Sequence, residues 1–168
     1  MIETKRILAG LSAATVLAAA APASAAGPAK YLDNRSTAVT LVRSLYNAVN
    51  RHEYLRAWSY FADSAGQGSF DSFAKGYENT KKVRVKFGKP MDDGAAGSIY
   101  TNLPVVVEAT TTDGKKTVFS GCYETRLVQP AVQATPPFKP LQIVKAKLQP
   151  ATGAFKATEG SCPDGGLG

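Results

Sequence analysis

The sequence predicts an α+β domain in which three N-terminal helices pack on a curved antiparallel sheet. Apolar residues recur at three- and four-residue spacing between residues 37 and 77, and from residue 82 onward they alternate with polar ones. Asp113-Gly114 separates two β-rich runs, which is a strong sequence signal for a hairpin. Helices followed by a meander of strands argue against a wound parallel sheet, in which helices and strands alternate.

The predicted helices follow from their caps and from apolar spacing. The first is capped by Ser36 or Thr37 and runs to about Asn50. The second is predicted from four apolar residues on one helical face, namely Tyr54, Ala57, Trp58 and Phe61. Ser69 caps a third helix, which carries Phe70, Phe73 and Tyr77. The break between the first two helices is short, so we expect them to pack together.

Alternating residues predict strands over 82–87, 98–112, 115–128 and 141–149. Residues 92–97, rich in Asp and Gly, are predicted to form a loop. Residues 129–140 hold four prolines and are therefore predicted to be a stiff crossover and not a central strand. A tight two-residue turn at Asp113-Gly114 would place Val107 opposite Ser120 and Glu108 opposite Phe119.

Composition and charge restrict the class of protein. The chain has 168 residues, and 20 Lys and Arg against 13 Asp and Glu give a net charge of +7. This length suits one domain with appendages and excludes a large multidomain enzyme. Two cysteines and one histidine are too few for a four-ligand zinc site of the usual kind. Phosphate-cradling and calcium-loop motifs are absent from the sequence, so we expect no metal and no cofactor.

Residues 1–25 are predicted to be a signal peptide. Lys5 and Arg6 precede an uncharged run rich in Ala, Leu and Val, and Ala23-Ser24-Ala25 fits the pattern that signal peptidase accepts. A membrane anchor is the alternative, but the apolar run is short for a span. We therefore expect a protein exported to the periplasm or the medium, without a transmembrane anchor after cleavage.

The expected mature chain has a leader over residues 26–34, a domain over 35–149 and a Gly-rich tail over 150–168. In an oxidising compartment an even number of cysteines favours a disulfide, so Cys122 and Cys162 are predicted to pair and tether the tail. Two separate free thiols are the alternative.

The amino-acid sequence of the first two predicted helices resembles that of a known family. Residues 42–50, followed by Glu53-Tyr54-x-x-Ala57-Trp58-x-x-Phe61, are similar to the paired opening helices of the nuclear transport factor 2-like (cystatin-like) superfamily. Residues 73–85 also resemble its exported bacterial members without assigned function. The resemblance spans residues 35–149 and implies a cone-shaped fold with a pocket between sheet and helices. That superfamily includes ketosteroid isomerases, dehydratases, transport adaptors and uncharacterised exported domains, so the fold alone does not specify a function.

The resemblance implies that catalytic members carry a carboxylate base and a hydrogen-bond donor in the pocket. Glu108 is the candidate base here, and Tyr46 or Tyr123 the candidate donor. Tyr100 and Trp58 are further candidates for ligand contact. The alternative is that Glu108 is a solvated carboxylate on the outer face and that the aromatic residues are core rings.

Basic residues cluster on two predicted strands. The first strand carries Lys82, Arg84 and Lys86, and the last carries Lys145 and Lys147. Neighbouring strands would form a positive face able to bind anionic partners. Alternating lysines also protect sheet edges from pairing, without any ligand. Nucleic acid is not an expected partner, because the chain has no basic–aromatic binding motif.

Three functional hypotheses follow. The first is a non-catalytic binding or accessory domain of the cell envelope, with a small apolar or anionic ligand in the cone pocket or on the basic face. The second is a small cofactor-free isomerase or dehydratase that uses a pocket Glu and Tyr. The third is a structural domain with a filled cone, which binds a protein partner or forms a homodimer.

Overall fold

The computed structural model describes residues 29–167, so the predicted signal peptide lies outside the described residues. Helix α1 spans Ala38–Asn50, α2 spans Tyr54–Trp58 and α3 spans Phe70–Tyr77. Five strands follow, namely β1 (Thr80–Phe87), β2 (Met91–Ala95), β3 (Ser98–Thr111), β4 (Lys116–Val128) and β5 (Gln142–Ala151). Within residues 29–167 no helix is long and apolar enough to cross a membrane.

The helices begin where the caps predict. The Thr37 side chain accepts a hydrogen bond from the Thr40 backbone N–H, and the Thr40 side chain reciprocates, so both satisfy free groups at the start of α1. Ser69 caps α3 by accepting from the Ser72 N–H. Helix α2 is shorter than predicted, because the chain beyond Trp58 turns and Phe61 forms a bridge with Ile143 of β5.

The sheet is antiparallel with the strand order β1-β3-β4-β5, and β2 pairs with β3 beside β1. The predicted loop at residues 92–97 is therefore wrong in part, since most of it is β2. All five residues of β2 are exposed, so the strand has no buried face that sequence periodicity would reveal. Ala96 and Gly97, with φ of 46° and 71°, form the left-handed turn that joins β2 to β3.

The predicted register of the β3–β4 hairpin is wrong by one residue. Val107 pairs with Phe119, whereas Glu108 pairs with Val118. The register differs because the loop has three residues instead of two. The hydrogen bond that closes it runs from the Thr111 N–H to the Lys115 carbonyl at 2.9 Å. Gly114 supplies the left-handed conformation, with φ of 88°, that a three-residue hairpin loop requires.

This register gives the sheet one apolar face. Leu103, Val105 and Val107 of β3 share that face with Phe119 and Tyr123 of β4, and all five pack in the core cluster. The same cluster includes the buried side of α1, so the core lies between the helices and the concave side of the sheet. The predicted architecture, three helices packed on a curved antiparallel sheet, is confirmed.

The C-terminal tail lies across the opposite, outer face of the sheet. Phe155 stacks against the Arg84 guanidinium at 4.6 Å, and Lys86 donates to the Lys156 carbonyl at 3.0 Å. Gly160 then passes so close to β3 that a Cβ would lie 2.3 Å from the Val105 nitrogen. The Gly-rich tail is therefore packed against the outer face of the sheet.

The predicted disulfide is confirmed. Cys162 of the tail bonds to Cys122 of β4, and the two residues are 40 positions apart in sequence. A cross-link of this loop length restricts the unfolded chain and stabilises the folded state by about 4 kcal/mol in the chain-entropy model.

We expect the double variant Cys122→Ser/Cys162→Ser to lose a large part of this roughly 4 kcal/mol of unfolding free energy. Urea unfolding followed by fluorescence measures the loss, and adding a reductant to the wild type should give the same change. The double variant serves as the control, because adding a reductant should not change its urea midpoint. Equal midpoints for the oxidised wild type and the double variant would contradict the prediction.

Candidate ligand-binding site

An apolar cavity of about 410 Å³ opens between α3 and the neighbouring ends of four strands. Residues of α1, α3, β1, β3, β4 and β5 form its walls. The lining residues are Tyr46, Gly76, Tyr77, Thr80, Val83, Val107, Ala109, Phe119 and Leu148. A volume in this range is ordinary for a small-molecule site. The cavity lies between a helix and the sheet, which is where the family resemblance implies a pocket.

A pair of buried tyrosines adjoins this cavity, since Tyr46 lines it and Tyr123 contacts Tyr46. The hydroxyl oxygens of Tyr46 and Tyr123 are 2.6 Å apart, and the two rings meet edge to face. The residues are 4% and 3% exposed, so their hydroxyls depend on each other and not on solvent. Tyr46 is held by α1 and Tyr123 by β4, so the hydrogen bond joins helix layer to sheet.

The tyrosine hydroxyls are protonated at neutral pH. Burial is the main cause that raises the pKa of both Tyr46 and Tyr123 well above the usual value for a phenol. Burial also raises the pKa of Tyr77 on the cavity wall. Of the three, Tyr46 and Tyr77 line the cavity, so as phenols they can donate a hydrogen bond to a ligand oxygen there, but they are not bases.

The rest of the cavity wall is chemically inert. Among the described residues that line it, none is a carboxylate, a histidine, a cysteine or a lysine. Within residues 29–167 there is also no group of three or more His, Cys, Asp or Glu side chains that would hold a metal. The cavity has the surface of a binding site for apolar groups.

Glu108 does not lie in this cavity. It is on the outer face of β3, where its Oε1 is 2.7 Å from Nη2 of Arg84 and 2.9 Å from Nε. The prediction that Glu108 joins Tyr46 or Tyr123 around a pocket is wrong, because the hairpin register puts Glu108 and the tyrosines on opposite faces. Glu108 is also not solvated, since it is 7% exposed beneath Arg84 and the tail.

Trp58 and Tyr100 are also outside the cavity. The Trp58 ring packs edge to face against Phe73, with 5.3 Å between ring centroids, so it is part of the aromatic packing between α2 and α3. Tyr100 lies on the outer face of β3, where the Arg126 guanidinium is 5.5 Å from its ring. Of the five predicted ligand-contact residues, Tyr46 lines the cavity, and Tyr123 contacts Tyr46 from behind.

The predicted continuous basic face is wrong. Lys82, Arg84 and Lys86 are on β1 and Lys145 and Lys147 on β5, and these are opposite ends of the strand order, with β3 and β4 between them. The tail crosses this gap and engages Arg84 and Lys86 with Phe155 and backbone carbonyls. The two groups of cations therefore do not combine into one anion-binding surface.

Sequence reasoning missed several cavity residues. Gly76 and Leu148 lie 72 positions apart and come together because α3 and the end of β5 border the same opening. A glycine in a short helix has no apolar signal, and Leu148 follows the ordinary alternation of a strand. Tyr77 was predicted as a packing residue of α3, and no local pattern indicates that its ring faces a cavity.

No protein-family model matches the chain, and no curated protein matches it by sequence. Similar solved structures include a candidate scytalone dehydratase from Novosphingobium aromaticivorans, with 11% identity, a TM-score of 0.49, and coverage of 74% of this chain and 89% of that one. A conserved protein from Planctomyces limnophilus has 10% identity and a TM-score of 0.49, covering 67% and 94%.

A nuclear transport factor 2-like protein of unknown function from Exiguobacterium has 15% identity and a TM-score of 0.43, covering 70% of this chain and 100% of that one. Similarities at this level concern the course of the chain and say nothing about activity. The helices and the sheet described above have the order that the sequence resemblance implied, three helices followed by a curved antiparallel sheet.

The Tyr46–Tyr123 pair predicts a specific pattern of stability. Replacing either residue by Phe leaves the other hydroxyl buried without its partner, which we expect to cost about 1–3 kcal/mol. Replacing both removes the pair together, so the double variant should lose less than the sum of the two single variants. Urea unfolding of the wild type and the three variants measures this cycle. Strictly additive losses would show that the two hydroxyls do not depend on each other.

Proposed function

We propose that this protein is an exported, non-catalytic binding or accessory domain that holds a small apolar ligand in the cavity at the mouth of its cone. The observation that carries this proposal is the cavity itself, about 410 Å³ of space with an apolar lining that reaches buried Tyr46. Transfer of hydrocarbon from water into such a site is favourable by about 0.8 kcal/mol for each buried methylene.

The distribution of polar groups supports binding over catalysis. A general acid–base reaction needs a titrating group within hydrogen-bond reach of the substrate. The polar side chains on the cavity wall are tyrosines, whose pKa is raised by burial, and Thr80. The isomerase or dehydratase hypothesis depended on Glu108, which is paired with Arg84 on the other side of the sheet.

The proposed compartment is the periplasm, the envelope or the medium. The Cys122–Cys162 disulfide is compatible with an oxidising compartment, and the N-terminal sequence has the pattern of a cleaved signal. A protein partner or a second copy of the chain remains an additional proposal for the accessory role.

Uncharged N-phenyl-1-naphthylamine, which fluoresces in apolar surroundings, tests the proposal. We expect saturable binding of one probe per chain. The variant Gly76→Leu places a branched side chain at the opening, where a Cβ meets nothing within 4 Å, and should weaken binding by about tenfold or more. Leu is a better helix former than Gly by up to about 1 kcal/mol, so this variant should remain folded.

The matched control is Gly94→Leu on β2, where an added Cβ also meets nothing within 4 Å but which does not line the cavity. Its probe affinity should equal that of the wild type. Ala109→Phe fills the cavity from the opposite wall and serves as a second blocking variant. If the wild type binds no probe, or if the blocking variants bind it as the wild type does, the cavity is not the binding site.

A further inference from the structure

Two segments that border the cavity opening are rich in lysine. The first, residues 75–82, joins the end of α3 to β1, and the second, residues 109–119, is the β3–β4 hairpin. Together they carry five lysines and two acids: Lys75, Glu78, Lys81, Lys82, Asp113, Lys115 and Lys116. All seven are exposed. Lys82 and Lys116 both pair with Thr110, which is on the outer face of β3 like Glu108, so they lie on the side of the sheet away from the cavity. We call the other three, Lys75, Lys81 and Lys115, the rim lysines.

The backbone pairing places the rim lysines beside the opening. Thr80, which lines the cavity, pairs with Thr111, and the Thr111 N–H donates to the Lys115 carbonyl. The backbones of Thr80 and Lys115 are therefore two inter-strand spacings apart, or about 10 Å, at the hairpin end of the sheet. Lys75 immediately precedes Gly76 and Tyr77, which both line the cavity from the helix side.

The rim lysines have no carboxylate partners among the described residues, where every ion pair within 4.0 Å involves an arginine. The nearest acid in the hairpin, Asp113, is already engaged. Its carboxylate accepts from the Thr111 hydroxyl and from the Lys115 backbone N–H, and these hydrogen bonds lower its pKa. The positive charge at the opening is thus available to a ligand.

We infer that the ligand of this cavity is an anionic amphiphile, a molecule with one apolar chain and a carboxylate, sulfate or phosphate at its end. This inference rests on the proposed function. The apolar chain fills the cavity, and the anionic group stays at the opening among the rim lysines.

The opposite orientation is unfavourable. The described cavity wall has no cation, so an anionic group inside the cavity would lose its hydration without a partner charge. At the opening the same group remains hydrated and gains attraction from exposed lysines. Such attraction between exposed charges is modest and weakens with salt, because the Debye length falls from about 10 Å at 0.1 M to 3 Å at 1 M.

A matched pair of ligands separates charge from apolar burial. Dodecanoate and 1-dodecanol have the same chain and differ at the head, and each can be titrated below its solubility limit against bound N-phenyl-1-naphthylamine. At pH 8 and 20 mM salt we expect dodecanoate to bind about tenfold more tightly than dodecanol, and at 500 mM salt we expect most of this preference to disappear.

Two variants of equal charge change locate the effect. Lys75→Gln/Lys115→Gln removes two rim lysines, and Lys145→Gln/Lys147→Gln removes two lysines from β5 on the outer face. Both lower the net charge of the protein by two. We expect the first variant to lose the preference for dodecanoate with unchanged dodecanol affinity, and the second to keep it.

Other outcomes overturn the inference in distinguishable ways. Equal affinity of the wild type for both ligands would leave the apolar cavity as a binding site and reject the anionic head. If dodecanoate, dodecanol and the probe all fail to bind, the proposed function is rejected as well. A preference that survives in Lys75→Gln/Lys115→Gln would place the anion elsewhere. Binding to anionic phosphatidylglycerol vesicles, without binding of either monomeric ligand, would mean that the rim docks on a membrane surface.

Discussion

The register of the β3–β4 hairpin determines the position of every other functional feature. Its three-residue loop pairs Val107 with Phe119, which collects the apolar side chains of both strands on one face. A shift of one residue would put Val107 and Phe119 on opposite faces and divide the core between them. Burial of a single apolar face against α1 is therefore the constraint that selects this register, and the Asp113-Gly114 turn accommodates it.

The same register gives the outer face a mixture of apolar and charged residues, and exposure of the apolar ones to water would be unfavourable. The C-terminal tail covers this face of β3 and β4, and the disulfide to Cys122 holds the tail in place. Under the tail, Glu108 finds Arg84, so a buried carboxylate is neutralised on the side away from the cavity. The tail thereby completes the domain, since it supplies the second layer for a sheet whose helices cover one side.

The cavity exists because the helices do not cover the whole concave face. Helix α3 ends at Tyr77, and the strands continue past it to the hairpin, which leaves apolar wall residues open to a ligand. Tyr46 and Tyr77 on the cavity wall carry no charge, while exposed lysines border the opening. This separation of an apolar interior from a charged edge is the basis on which an amphiphilic ligand is proposed.

The sequence alone determined the local features: the Thr37 and Ser69 caps, the alternation of the long strands, the position of the hairpin and the pairing of two cysteines. These depend on neighbouring residues or on a count, so a linear pattern contains them. The sequence did not determine β2, because its exposed residues show no alternation. It also did not determine the register of the β3–β4 hairpin to the residue, because a two-residue and a three-residue loop both fit Asp-Gly. The face of Glu108, the cover provided by the tail and the meeting of Gly76 with Leu148 were decided by tertiary structure, because they depend on which face of the sheet becomes buried.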